Sequence, residues 1–293
     1  MNTSPTSPPL PPGACDCHTH VFLNERTFPL SASRRYTPPP ATIDALSAVH
    51  DETGIQRVVI VQPSVYGLDN SATWHALRVL GTHRARAVAV LDDEVSDATL
   101  DDMAVAGFRG VRVNLEIDGE RDPAKASAWL RRVAERVAPM GWHIQVFASL
   151  PLLAACSPVL RALPVPLVFD HYAGAHASLG LEQEGLREVL TLVESGKAYV
   201  KLSAPYRCSD PRHEADLEPL TRLLIRCNPE RMLWGSDWPH PQPGVRPRSE
   251  DVCPPFEVDL GQVLNTMGRW ASDEATRHRI FVDNPRRLYD FSP

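Results

Sequence analysis

The segment Asp16-Cys17-His18-Thr19-His20 ends an apolar run and sets two imidazoles two residues apart. Side chains alternate along an extended strand, so Asp16, His18 and His20 are expected on one face and Cys15, Cys17 and Thr19 on the other. If the histidines face inward, the cysteines face away from them, which argues against a Cys-His zinc knuckle. Two imidazoles at this spacing can bind one metal ion or polarise one carbonyl oxygen. A third histidine, His171, closes the run Pro166–His171, where Asp170 and His171 interrupt apolar residues. That is the pattern of a buried parallel strand reaching its C-terminal rim. The third signal is Asp237, which follows Met232, Leu233 and Trp234 and precedes a Trp238-Pro239-His240-Pro241 loop. A carboxylate there can serve as general base toward water or as a metal ligand. A helix N-cap is the weaker reading, because no helical start follows it.

These residues need a scaffold that brings distant strand ends together. Short β-branched runs alternate with amphipathic stretches, which predicts βα units and a parallel sheet. Strands are expected at about 14–21, 56–62, 85–91, 108–114, 143–148, 166–171, 198–203 and 232–237. Helical patterns lie between them, for example at 70–81, 124–140, 186–195 and 217–227. Eight such units predict an α/β fold of the (β/α)8, or TIM, barrel type. No glycine-rich phosphate fingerprint follows the first strand, which weakens a dinucleotide-binding alternative. A length of 293 residues suits one barrel, with a flexible Pro/Ser/Thr-rich arm over 1–13 and the barrel over 14–293.

Two insertions are expected at the C-terminal face of that barrel, where such enzymes keep their active sites. Residues 23–41 carry Arg34, Arg35, Tyr36 and a three-proline run, and residues 239–256 carry Arg246 and Arg248. Composition bounds the partners. A net charge of −6 gives no global field favouring nucleic acid or an anionic membrane. Attraction for an anionic substrate must therefore come from local arginines. No apolar run approaches the roughly 18 residues of a membrane helix. The N-terminal segment lacks the basic and apolar regions of a secretory signal, so six reduced cysteines in the cytoplasm are expected.

The chain resembles the amidohydrolase superfamily, and within it the branch that includes the 2-pyrone-4,6-dicarboxylate hydrolases. The resemblance runs from Asp16 to Tyr289. It is carried by DCHTHVF at the first strand, VQPSVYGLDN at 61–70, GFRGVRVN at 107–114 and GWHIQVF at 141–147. VFDH at 168–171, WGSDWPHP at 234–241 and VDNPRRLY at 282–289 extend it. It implies that His18, His20 and His171 hold the scissile carbonyl and that Asp237 activates water. It further implies that Tyr36, Arg112 and Arg207 bind substrate, the arginines against carboxylates, as a guanidinium fork favours. Arg35 beside Tyr36, Gln145 on the fifth strand, and Trp238 and His240 around Asp237 complete the expected substrate-binding set. Two departures bear on the substrate: Leu115–Gly119 is acidic where that branch is basic, and Phe147 stands where it has a tyrosine. A pyrone dicarboxylate, a muconolactone-type compound and a sugar-acid lactone all stay open.

Many superfamily members hold one or two divalent ions. No acidic residue or lysine is found at the rim ends of the fourth and fifth strands, and Lys201 on the seventh has no histidine beside it in sequence, so a two-metal site is not expected. The resemblance implies that no cofactor is needed, because a lactone is already activated. The alternative is one Zn2+ or Mn2+ on His18, His20, His171 and Asp237. The expected partner is thus a small anionic lactone or carboxylic acid, with oligomeric state left open. Two rival readings are a metal-dependent decarboxylase of an unsaturated acid and a catalytically silent barrel that binds a small acid.

Overall fold

A computed structural model describes residues 3–210, 216–242 and 251–292. Strands β1 (Cys15–Thr19), β2 (Arg57–Val61), β3 (Ala85–Ala89) and β4 (Phe108–Asn114) are followed by β5 (His143–Phe147), β6 (Leu167–Phe169), β7 (Ala198–Ser203) and β8 (Met232–Gly235). They form one parallel sheet in sequential order β1 to β8. Backbone bonds from His20 N to Trp238 O (2.8 Å) and from Asp237 N to His18 O (2.9 Å) join the last strand to the first. The fold is the expected (β/α)8 barrel. The helices between strands are α1 (Ile43–Thr53), α2 (Ser71–Leu80), α3 (Asp97–Ala106), α4 (Leu115–Asp118), α5 (Pro123–Val137), α6 (Leu150–Ala155), α7 (Ser157–Ala162) and α8 (Leu186–Glu194). Then come α9 (Pro205–Cys208), α10 (Glu218–Cys227), α11 (Leu260–Trp270), α12 (Glu274–His278) and α13 (Asn284–Tyr289). None is long and apolar enough to cross a membrane among the described residues.

The strand register sorts inner from outer faces. Val58, Ala85, Ile144, Leu167, Ala198 and Met232 pack outward under the helices, in the main core. Val59, Val61, Val88, Val168, Tyr199 and Leu233 form a separate inner cluster with Cys15 and Cys17. This corrects the alternation expected for β1. The register slips between Asp16, which pairs with Val58, and Thr19, which pairs with Ile60. A slip of this kind leaves two consecutive residues on one side of the strand. Cys17 and His18 therefore both point into the barrel. Asp16 turns outward to His50 of α1 (3.3 Å) and accepts from the backbone N–H of His18 and Ser236. The alternation rule fails here because it assumes an unbroken pleat.

The two proline-rich insertions meet over the rim: Thr37 pairs with Val252, and Cys253 N donates to Thr37 O at 2.8 Å. Arg246 and Arg248 lie outside the described residues. The N-terminal arm, expected to be flexible, lies along α11. Ser4 donates through N (3.0 Å) and Oγ (2.6 Å) to the capping residue Asp259, and Ser7 N donates to Asn265 at 2.6 Å. Its serines thus supply donors to the cap and outer side of that helix. All six cysteines are free thiols.

Candidate active site

The rim is built by strand ends that bend sharply after their last residue. His171 (φ 45), Ala204 (φ 49) and Asp237 (φ 60) follow β6, β7 and β8 in the left-handed region. Such conformations cost of order 1–3 kcal/mol each and persist only where surrounding contacts hold them. Here they turn His171 and Asp237 toward the axis. His18 and His20 arrive from β1, placed inward by the bulge.

Asp237 is the meeting point. Its Oδ1 lies 3.6 Å from His18 Nε2 and 3.4 Å from His20 Nε2. Its Oδ2 accepts from Tyr206 Oη at 2.7 Å and Arg207 Nε at 3.1 Å. Burial opposes ionisation of Asp237, but the charges of Arg207 and the facing histidines outweigh it and hold the carboxyl well below its usual range. His171 Nδ1 is hydrogen-bonded to Ser203 Oγ at 2.9 Å, and burial pulls its pKa down to about 4. It is therefore neutral at neutral pH. His20 donates Nδ1–H to Val61 O at 2.8 Å, so its Nε2 carries a lone pair unless the ring is an imidazolium.

Beneath this layer sits a second, wholly buried one. Lys201 Nζ contacts Gln145 Oε1 (2.7 Å), His18 Nδ1 (3.3 Å) and Asp170 Oδ1 (3.7 Å). Asp170 Oδ2 also accepts from Arg112 (3.1 Å) and Gln145 (3.1 Å). Burial lowers the pKa of Lys201 to about 8, only partly offset by Asp170. Burial and then Lys201 push His18 well below 6.5, so its ring is neutral. No histidine neighbours Lys201 along the chain, so residue order alone does not pair the two. In space, β7 lies beside β8 and across from β1, and the lysine meets His18. The signal was available: a lysine inside the apolar run Val200–Leu202 must find a buried partner.

The cavity above these groups, about 350 Å3 counted to its open mouth, is lined by His20, Tyr36, Pro63, Ser64, Arg112, Asn114, Ile117, Phe147, His171, Arg207, Asp237 and Pro241. Tyr36 is buried there, and desolvation pushes its phenol up to about 12. Of the expected substrate-binding residues, Tyr36, Arg112 and Arg207 line the cavity. Arg35 is exposed at the edge, where its charge acts on Asp118. Gln145 lies in the buried layer below, held by Lys201 and Asp170. Trp238 is buried behind the rim with the outer core. His240 lies behind Asp237, its N donating to Asp237 O at 2.6 Å, and burial lowers its pKa to about 4. Tyr206, Asn114 and Ser64 are site groups that nothing in residue order singles out.

The Amidohydrolase family model matches residues 15–291. The chain belongs to the amidohydrolase family. Among relatives, this amidohydrolase is 33% identical to a 2-pyrone-4,6-dicarboxylate hydrolase of Comamonas testosteroni over 290 residues, covering 96% of this chain and 91% of that one. It is 30% identical to a 4-sulfomuconolactone hydrolase of Rhizobium radiobacter, covering 98% of this chain and 93% of that one. A crystal structure from Pseudomonas putida, described as a candidate 2-pyrone-4,6-dicarboxylic acid hydrolase, superposes with a TM-score of 0.82 at 32% identity. That match covers 97% of this amidohydrolase and all of the other chain.

Family members often carry metals, and among the described residues two ligand sets could hold a single cation: His18, His20 and Asp237, and His18, Asp170 and His171. The donor chemistry of the first set fits. His18 Nε2 is buried without a hydrogen-bond partner, and the His20 lone pair and Asp237 Oδ1 converge on the same space.

Proposed function

We propose that this amidohydrolase opens the ring ester of a small anionic lactone by adding water to its carbonyl carbon. The observation that carries the reading is Asp237. It is a buried carboxylate at the cavity wall with one oxygen anchored and the other facing His18 and His20, and Arg112 and Arg207 line the same cavity. The names of the relatives support the lactone class.

Asp237 Oδ1 takes a proton from water as the water oxygen bonds to the lactone carbonyl carbon. The carbonyl oxygen becomes an oxyanion, stabilised by N–H donors among His18, His20 and His171. Collapse breaks the ring C–O bond, and Asp237 returns its proton to the departing oxygen. Arg112, Arg207 and Tyr36 hold the carboxylate of the substrate, which fixes the carbonyl beside the base. A single Zn2+ or Mn2+, held by His18, His20 and Asp237 with His171 alongside, would instead supply Lewis-acid polarisation of the carbonyl.

The test is an assay of metal-analysed protein against lactones that include 2-pyrone-4,6-dicarboxylate and muconolactone-type compounds, with Asp237→Asn beside it. Turnover that survives chelation and vanishes in the variant is expected from the metal-free form of the mechanism. Turnover lost on chelation and restored by Zn2+ keeps the hydrolase and replaces the polarising group. No turnover of any lactone sinks the reading.

A further inference from the structure

The two oxygens of Asp237 have opposite surroundings. Oδ1 faces His18 and His20, whereas Oδ2 lies beneath Tyr206 Oη and Arg207 Nε. Tyr206 reaches it from α9, a single turn that the left-handed Ala204 sets at a right place after β7. Its ring stacks on Phe256 with centroids 4.4 Å apart and meets the edge of His240 at 6.0 Å. Those rings fix the phenol, and Tyr206 is absent from the cavity lining.

We propose that Tyr206 is a positioning residue that pins Oδ2, so that Oδ1 alone is presented to the reacting water. The proposal rests on the hydrolytic reading of Asp237 given above. The torsion that turns a carboxylate is broad and soft. Arg207 at present gives Asp237 only its Nε, while its Nη2 donates to Pro241 O at 2.7 Å. A guanidinium favours a two-pronged grip on both carboxylate oxygens. Without the phenol on Oδ2, Asp237 is free to turn into that grip, which takes Oδ1 away from His18 and His20. The phenol thus favours the reactive orientation over a stronger but unproductive ion pair. Buried beside a carboxylate, it stays protonated and acts as donor throughout.

Tyr206→Phe removes the hydroxyl and keeps the ring and its stacking. We expect kcat to fall about ten- to hundredfold, as small misplacements of reacting groups do. KM should stay within about twofold and the melting temperature should not move. An unchanged kcat overturns the proposal, and so does a rise in KM at constant kcat, which would make Tyr206 a substrate contact. If the native protein turns over no lactone, the functional reading falls by itself. The clamp is then decided by crystal structures of native protein and Tyr206→Phe. A rotated Asp237 carboxylate in the variant sustains it, and an unrotated one refutes it.

Discussion

The two ends of the barrel solve opposite problems with the same eight strands. At the rim, buried carboxylates, imidazoles and guanidinia crowd together, and among the described residues six of the seven non-glycine residues with positive φ follow β6, β7 or β8. The floor is closed by the C-terminal segment. Tyr289 is fully buried in the inner cluster and meets His143 edge-on at 5.2 Å, and Phe291 lies under the guanidinia of Arg86 (4.6 Å) and Arg57 (5.3 Å). Arg86 Nε and Arg57 Nη2 donate to the carbonyls of Tyr289 (3.0 Å) and Ser292 (2.7 Å). Backbone strain is tolerated at the rim because chemistry needs groups held in orientations that a relaxed chain would not give them. The floor has no such need and is packed for burial. A barrel enzyme of this kind therefore stores its instability where it reacts.

The sharpest test of this division exchanges the two ends. Asp237→Asn at the rim is expected to reduce lactone turnover about 10³- to 10⁴-fold, since it removes the proposed general base. It should shift the melting temperature by only a few degrees, because asparagine tolerates the same backbone conformation. Tyr289→Ala at the floor should do the reverse. It opens a cavity in the inner cluster and costs about 3–5 kcal/mol in denaturant unfolding, while the folded fraction keeps its kcat. A floor variant that abolished kcat without unfolding would break the comparison.

Acid titration probes both ends together. Burial holds His171 and His240 near 4 and His143 near 3, below the unfolded value of about 6.5. As pH falls from 6.5 toward 4 the unfolded chain takes up these protons first, so stability is lost across that window and regained above it. The loss is at most about 1.4 kcal/mol per pH unit for each histidine. Asp170 and Asp237, held below the usual carboxylate range, add loss in the same direction at lower pH. Calorimetry from pH 7.5 to 4.5 should show a steadily falling melting temperature, and His143→Leu should flatten the slope by one proton. A flat profile would mean that these imidazoles are not held neutral. The smallest effect concerns Tyr289 Oη, which is buried without a hydrogen-bond partner. Tyr289→Phe should leave activity intact and stabilise by up to about 1 kcal/mol in the same denaturant assay.

Much of this was legible in residue order. The alternation of β-branched runs with amphipathic stretches requires a parallel sheet, and Phe108–Asn114 and Ala198–Ser203 fall where the pattern puts them. His18, His20, His171 and Asp237 stand out because polar groups that end apolar strands must share one rim once those strands are parallel. Side-chain direction in β1 was not legible, because the bulge that turns Cys17 and His18 inward depends on the pairing with β2. Nor were the partners of the buried charges. Lys201 and His18, or Asp170 and Arg112, lie far apart in the chain, and only closure of the barrel brings them within reach. Local pattern fixes periodicity and strand ends, since those follow from backbone geometry alone. Which oxygen of Asp237 faces the histidines, and which is held by Tyr206 and Arg207, is decided by contacts that exist only in the folded chain.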